Sequence, residues 1–253
     1  MKVRILGTGT SQGVPVIACN CTVCQSCDPN DKRLRSSVLI EVDGIVIVID
    51  AGPDFRQQML REKAANVDAI LITHEHRDHI AGLDDVRSFN YINKKPIDIY
   101  AEPRVHKSIK LEYSYSFADE KYPGIPQFNL IDLLDEPFFI NGVKIIPLRV
   151  LHYKLPVFGF RIGDFTYITD ANYISDEVKA KIFGTKVLVI NGLRKEKHLS
   201  HFSLNEAIDF INQVNPARAY ITHISHQMGM HKEINKNLPP NILLAYDGLH
   251  FEL

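Results

Sequence analysis

Tryptophan is missing altogether, and cysteine is scarce at 4 residues in 253. All four cysteines fall between positions 19 and 27, too close together to staple a fold of this size with disulfides. An excess of one charge is also missing: 29 Lys+Arg stand against 30 Asp+Glu, a formal net charge of -1. No overall field therefore holds a polyanion such as nucleic acid by counterion release. No run approaches the roughly 20 apolar residues that span a bilayer. The opening Met1 to Thr10 lacks the regions of a secretion signal, and no Pro/Gly/Ser-rich linker divides the chain. These absences predict a cytoplasmic protein with no membrane partner, folded as a single domain over 1–253.

What is present is the balance of a globular protein, 45% hydrophobic and 23% charged. Strand-like runs occur at Val3 to Leu6, Val38 to Val42 and Ile45 to Ile49, the last two joined by Asp43-Gly44, a dipeptide suited to a tight hairpin. Further runs follow at Ala69 to Ile72, Ile97 to Tyr100, Val143 to Leu151, Phe158 to Ile162, Phe165 to Thr169, Lys186 to Ile190, Ala217 to Thr222 and Ile242 to Tyr246. Helical composition marks Phe55 to Lys63 behind a capping Asp54, then Pro103 to Glu112, Asp176 to Phe183 and Leu204 to Gln213. Too many hairpins for a doubly wound parallel sheet and too many helices for an all-β sandwich predict a layered α/β (α+β) architecture of mixed sheets.

The eleven histidines are unevenly placed. Thr73-His74-Glu75-His76-Arg77-Asp78-His79 puts three imidazoles and a carboxylate at the end of a strand. Such a set suits zinc, manganese or iron, the carboxylate favouring harder ions. Asp78 and His79 face a second cation beside the one that His74 and His76 approach. A pair of metals needs more ligands, and His152, Asp170 and His223 each follow a strand in the same way. Asp170 is the natural bridge, because one carboxylate can give an oxygen to each of two cations. Two cations about 3.5 to 4 Å apart share and activate a water, the chemistry of a hydrolase.

This H-x-H-x-D-H pattern, with the later His, Asp and His, resembles the signature of the metallo-β-lactamase superfamily. The resemblance implies an αββα sandwich of two mixed β-sheets flanked by helices, with two metals at one edge. It also implies that His74, His76 and His152 hold one metal and Asp78, His79 and His223 the other, with Asp170 between them. Asp50-Ala51-Gly52 resembles the superfamily's D-x-G element, and Asp50 is expected either to orient a ligating histidine or to cap a helix.

Cys19-Asn20-Cys21-Thr22-Val23-Cys24-Gln25-Ser26-Cys27 places four thiols in nine residues, enough for a structural zinc clip at 19–27. Together with Leu6-Gly7-Thr8-Gly9, Gln12-Gly13-Val14-Pro15 and Thr222-His223-Ile224-Ser225-His226-Gln227, this spacing is similar to the PhnP group. Its members are phosphodiesterases that open phosphoribosyl cyclic phosphate. That resemblance implies zinc on Cys19, Cys21, Cys24 and His226, with Cys27 an extra thiol that leaves the fourth ligand open between Cys27 and His226. The glycine spacing is not that of dinucleotide binding, since the cysteines and not a helix follow it.

A phosphodiester also needs a proton donor for its leaving group. His198 and His201 are the unassigned candidates, and His201-Phe202-Ser203-Leu204-Asn205 resembles the group's H-x-x-L-N segment, which selects His201. Lys154 can contact phosphate or stay solvated; His106, His231 and His250 are read as structural. Specificity is expected from the segment between Leu83 and Gly124.

The expected function is therefore a phosphodiesterase for a small cyclic phosphate or nucleotide-like ester. It would use two divalent metals, Mn or Zn, beside one structural Zn, with His201 and Asp78 at the reaction and a homodimer implied by the group. The competing classes are an accessory or carrier protein of pyrroloquinoline quinone assembly, which shares the cysteine opening, and a thioester hydrolase or RNA nuclease of the same superfamily.

Overall fold

The computed structural model describes residues 1–120 and 122–253. The chain runs β1 (Lys2–Gly7), α1 (Thr22–Gln25), β2 (Ser37–Val42), β3 (Ile45–Ile49), α2 (Phe55–Glu62), β4 (Ala69–Leu71), α3 (Arg77–Ile80), α4 (Arg87–Asn93), β5 (Ile97–Ala101) and α5 (Pro103–Glu112). It continues with β6 (Phe128–Asp132), β7 (Phe138–Ile140), β8 (Val143–His152), β9 (Leu155–Ile162), β10 (Phe165–Ile168) and α6 (Asp176–Ile182). The last elements are β11 (Val187–Asn191), α7 (Leu204–Val214), β12 (Arg218–Thr222), α8 (His231–Asn235), β13 (Ile242–Leu244) and β14 (His250–Glu252).

These form two seven-stranded sheets, ordered β14-β1-β2-β3-β4-β5-β6 and β13-β12-β11-β10-β9-β8-β7. In the first, β3 to β6 run parallel and β14 to β3 antiparallel. In the second, β10 to β13 run parallel and β7 to β10 antiparallel. The β2–β3 hairpin forms as its Asp43-Gly44 turn dictates: both residues have positive φ, 51° and 79°, the twist that matches flanking strands.

One apolar core lies between the sheets, where Ile5, Ile47 and Leu71 of the first meet Phe158, Phe160, Phe165 and Tyr167 of the second. A second core packs Phe55, Met59, Val105 and Ile109 of α2 and α5 on the outer face of the first sheet. A third packs Val178, Phe210, Ile211 and Ile234 of α6, α7 and α8 on the outer face of the second. Each fully buried side chain of this size contributes about 1.5–3 kcal/mol of transfer free energy. The result is the expected αββα sandwich. No helix among the described residues is long and apolar enough to cross a membrane.

Asp54 does not cap α2 as expected. Its carboxylate accepts from the Arg35 backbone N–H at 2.8 Å and the Arg35 guanidinium at 3.2 Å, a charged partner that outcompetes the helix's own N–H groups. Side-chain caps form instead at α6, where Ser175 accepts from Val178 N–H, and at α7, where Ser203 and Glu206 make a reciprocal capping box. It fixes the end of the loop carrying His198 to His201, which is also pinned by Phe202 N–H donating to Ala171 O at 2.8 Å.

Candidate dimetal site and cysteine clip

Several of the strands end at one edge of the sandwich, and the residue after the strand turns sharply there. Asp50 after β3, Asp170 after β10 and His223 after β12 all take left-handed backbone, with φ of 63°, 57° and 54°. This conformation is costly for residues with a Cβ and is held here by the surrounding structure. It swings each polar side chain off the sheet and into a shared space, where ligands gather at the carboxyl ends of parallel strands. Glycine has a separate part: a Cβ on Gly52 would sit 2.0 Å from Asp78 O, so only glycine lets the Asp50 loop pass behind the Asp78 helix turn.

The structure brings the seven expected residues together. Donor atoms of His74, His76 and His152 lie within 4.8 Å of one another, as do those of Asp78, His79 and His223, and those of His74, His79 and Asp170. His79 Nε2 is 3.2 Å from Asp78 Oδ2 and 3.4 Å from Asp170 Oδ2, and His223 Nε2 is 3.2 Å from Asp170 Oδ1. His74 Nε2 is 3.0 Å from His76 Nδ1. Only His76 of the seven is exposed.

Four of the imidazoles have their other ring nitrogen fixed by oxygen. His79 Nδ1 donates to Asp50 Oδ2 at 2.7 Å, and His152 Nδ1 to Ser200 O at 2.8 Å. His74 Nδ1 pairs with Thr73 Oγ1 at 2.9 Å, and His223 Nδ1 with Ser36 Oγ at 3.1 Å. Such partners hold the ring and its tautomer so that the inner nitrogen faces the site. Asp50 is thus found orienting a histidine, and it is itself fixed by Thr73 N–H at 2.8 Å.

The residues fit a pair of divalent cations on chemical grounds. Asp50, Asp78 and Asp170 are all buried, and among the described residues their ion-pair partners are histidines alone. Buried carboxylates without lysine or arginine call for another positive charge. His79 Nε2 is buried and without a hydrogen-bond partner, aimed between two of the carboxylates. Burial opposes charge on His79, but the fields of Asp78, Asp50 and Asp170 outweigh it and hold the imidazole well above its usual range. Burial likewise opposes charge on Asp170, yet His223 and His79 keep that carboxyl well below the ordinary carboxylate range. Burial takes His223 down to about 4, against the pull of Asp170.

His201 also reaches the site: its Nε2 is 3.0 Å from Asp170 Oδ1, and its Nδ1 is 3.0 Å from Ser200 Oγ and 3.1 Å from His198 Nδ1. His106, His231 and His250 lie elsewhere: His106 pairs with Asp132 and the buried His231 with Arg33. Lys154 lines a cleft of about 490 Å³ that opens on His76 and His152. The walls of that cleft are Tyr153 to Leu155 and Leu199 to Ser200, not the 83–124 segment expected to carry specificity. In that segment Asp85, Ser88, Phe89 and Ile92 instead line a separate cavity against α2, and Lys121 lies outside the described residues.

The cysteines form a second cluster. His226 Nδ1 lies 3.3, 3.4 and 3.6 Å from the sulfurs of Cys19, Cys21 and Cys24. Four N/S donors within 4.8 Å of one another match a tetrahedral zinc site. Cys27 is exposed and outside the cluster, so the geometry selects His226 as the fourth donor. The Cys24 N–H and then His226 draw the Cys21 thiol down to about 6, favouring the thiolate that binds metal, whereas burial pushes Cys24 up to about 11.

Asp50→Asn keeps an acceptor for Thr73 N–H but replaces the charged acceptor of His79. We expect a 10- to 100-fold loss of metal affinity or activity, the usual cost of removing such an outer partner, read by metal titration. Unchanged affinity would reduce Asp50 to a part of the scaffold.

A family model described as the beta-lactamase superfamily domain matches residues 46–224. The chain is 41% identical over 252 residues, 98% of its length, to a Porphyromonas gingivalis protein named octanoyltransferase, and it spans only 51% of that relative. Among solved structures, a diphosphatase described as new and from the PhnP family aligns over 100% of this chain and 97% of its own, with a TM-score of 0.93 and 38% identity. The Zn(2+)-bound PqqB of Methylobacterium extorquens aligns over 100% of both chains with a TM-score of 0.82 and 21% identity, a likeness of fold.

Proposed function

From the premise that this chain belongs to the β-lactamase superfamily and, within it, to the PhnP family, we propose that it is a metal-dependent hydrolase acting at phosphorus on small cyclic or nucleotide-like phosphodiesters. The observation that carries this reading is the joining of two donor groups through one carboxylate: His74, His76 and His152 on one side, Asp78, His79 and His223 on the other, with Asp170 within 4.8 Å of His74 and His152 and 3.4 and 3.2 Å from His79 and His223. A diphosphatase at 38% identity supports chemistry at phosphorus.

In this reading His74, His76, His152 and Asp170 would hold one divalent cation, and Asp78, His79, His223 and Asp170 the other. Such a pair lowers the pKa of water and offsets charge developing on the phosphoryl oxygens. The chain's own residues do the rest. Asp50, Thr73, Ser36 and the Ser200 carbonyl keep the imidazoles in register, so little reorganisation is needed as charge moves. His201 holds a proton at Nε2 on the side of Asp170 and passes it to the departing oxygen, while Ser200 Oγ and His198 fix its ring from behind. Cys19, Cys21, Cys24 and His226 would hold a structural zinc, bracing the segment that bears His223, three residues from His226. A homodimer and a small-molecule substrate belong to the same proposal.

Elemental analysis combined with turnover of bis-p-nitrophenyl phosphate and a 2',3'-cyclic nucleotide, with and without manganese, tests it. About three metals per chain, as two such sites require, with diesterase turnover is the expected result. One zinc per chain and no turnover with any metal would overturn it in favour of the carrier class. The relative named octanoyltransferase is spanned over only half its length, and an octanoyl thioester therefore joins the substrate panel; turnover of it alone would move the reaction from phosphorus to an acyl carbon.

A further inference from the structure

The cleft beside His76 and His152 has an unusual lining for a site built from charged ligands. Tyr153 and Lys154 make one wall, Leu199 and Ser200 the other. Tyr153 and Leu199 are large apolar side chains left 46% and 67% exposed. They are nonetheless fixed. The Tyr153 backbone is left-handed, with φ of 57°, and its N–H donates to Asn172 Oδ1 at 2.7 Å. The same amide donates from Nδ2 to Leu199 O at 3.1 Å, so one side chain latches both walls. Asn172 is in turn anchored by its own N–H to Leu151 O at 2.8 Å. On the far side Arg104 donates both to the Glu75 carboxylate, between His74 and His76, and to Pro156 O just past the turn.

An apolar cleft that is open, rigid and joined to a reactive centre has already lost the entropy that a ligand would otherwise have to remove. Its size, about 490 Å³, suits a small organic body. Besides the imidazoles, the charged side chain in its lining is Lys154, whose Nζ lies 5.4 Å from the Tyr153 ring centre. An aromatic ring with a cation over one of its faces fits a flat, uncharged ring on the other face, linked to an anionic phosphate that the cation can meet.

Resting on the phosphodiesterase reading, we propose that this cleft is the subsite for the non-reacting arm of the substrate. It takes a planar aromatic body of the nucleobase or aryl class, stacked on Tyr153 and covered by Leu199. Asn172 is the positioning residue that sets the width between them.

The test compares two esters with one leaving group, thymidine 5'-(p-nitrophenyl phosphate) and methyl p-nitrophenyl phosphate, on the manganese-loaded protein. The thymidine ester is expected to be favoured in kcat/KM by roughly 10- to 100-fold, the range that stacking a base on an aromatic side chain provides. Tyr153→Ala, Leu199→Ser and Asn172→Ala are each expected to lower that ratio several-fold or more, mainly through KM, with melting curves confirming that each variant is folded. Asn172→Asp keeps the acceptor for Tyr153 N–H and loses the donor to Leu199, and should fall between Asn172→Ala and the parent. A ratio near one in the parent, or a ratio unmoved by Tyr153→Ala and Leu199→Ser, overturns the subsite while leaving the hydrolase reading intact. If neither ester turns over, calorimetric binding of thymidine 5'-monophosphate decides separately. Binding lost in Tyr153→Ala would keep the subsite and remove the reaction, and no binding would remove both.

Discussion

Asp170→Asn is expected to lower kcat by at least about 10³-fold, with the sulfur-bound zinc still present. Among the described residues Asp170 is the carboxylate grouped with both sets: its oxygen lies within 4.8 Å of the donor atoms of His74 and of His152 on one side, and 3.4 and 3.2 Å from His79 Nε2 and His223 Nε2 on the other, and it also meets His201 at 3.0 Å. Asparagine keeps the shape but removes the charge and one acceptor oxygen. Divalent cations supply several kcal/mol of stabilisation to a developing phosphoryl charge, and each 1.36 kcal/mol is tenfold in rate, so losing one of the pair leaves a thousandth or less. The check is kcat beside metal content per chain: the variant should lose at least one of its two active-site equivalents and keep the sulfur-bound zinc. A variant that retains a tenth of the parent rate would displace Asp170 from the centre of the site.

Cys21→Ala should lower the melting temperature by about 8–16 °C, whereas Cys27→Ala should leave it nearly unchanged. Loss of a structural metal belongs to the short list of changes that cost about 4 kcal/mol or more, and a chain of this length loses about 2–4 °C per kcal/mol. The reason is geometric. The cluster joins the segment from Cys19 to Cys24 to His226, and the apolar contacts beneath it are few: Val14, Val23 and Cys24, with Val16 and Met230 beside them. Zinc bound there would therefore supply folding free energy that packing does not. Scanning calorimetry of the two variants, with zinc assayed in each, separates the cases. Equal melting temperatures with zinc retained in Cys21→Ala would remove the clip.

Much of this was legible in the sequence because the signals were local. Asp43-Gly44 between two β-branched runs specifies a hairpin, and the structure places its strands at Ser37–Val42 and Ile45–Ile49. Thr73 to His79 packs so many donors into so few residues that a shared centre was the natural reading, and strand-end placement found His152, Asp170 and His223. The elements that escaped are short or at an edge. β6, β7 and β14 border their sheets or lie at the ends, and β6 (Phe-Asn-Leu-Ile-Asp) mixes polar and apolar residues without a clean alternation. α3 and α8 span only a turn or so each, and they are held by tertiary packing, not by their own periodicity. Ser36, which fixes His223, and Asn172, which joins the cleft walls, sit in segments with no motif. A single serine or asparagine signals nothing until the fold brings its partner from 187 or 27 residues away. The cleft walls have no signal for the same reason: Tyr153 and Leu199 are distant in sequence and come to line one cleft only in the folded chain.

The cysteine cluster also sets an order of events during synthesis. Cys19 and its partner His226 are 207 residues apart. At about 5–20 residues per second, translation leaves the three thiols waiting roughly 10–40 s before the imidazole that completes their set is made. Through that interval the nascent segment carries four thiols in nine residues without the imidazole that serves as the cluster's fourth donor. Oxidants and competing soft cations thus have their best access to these thiols before His226 has been translated.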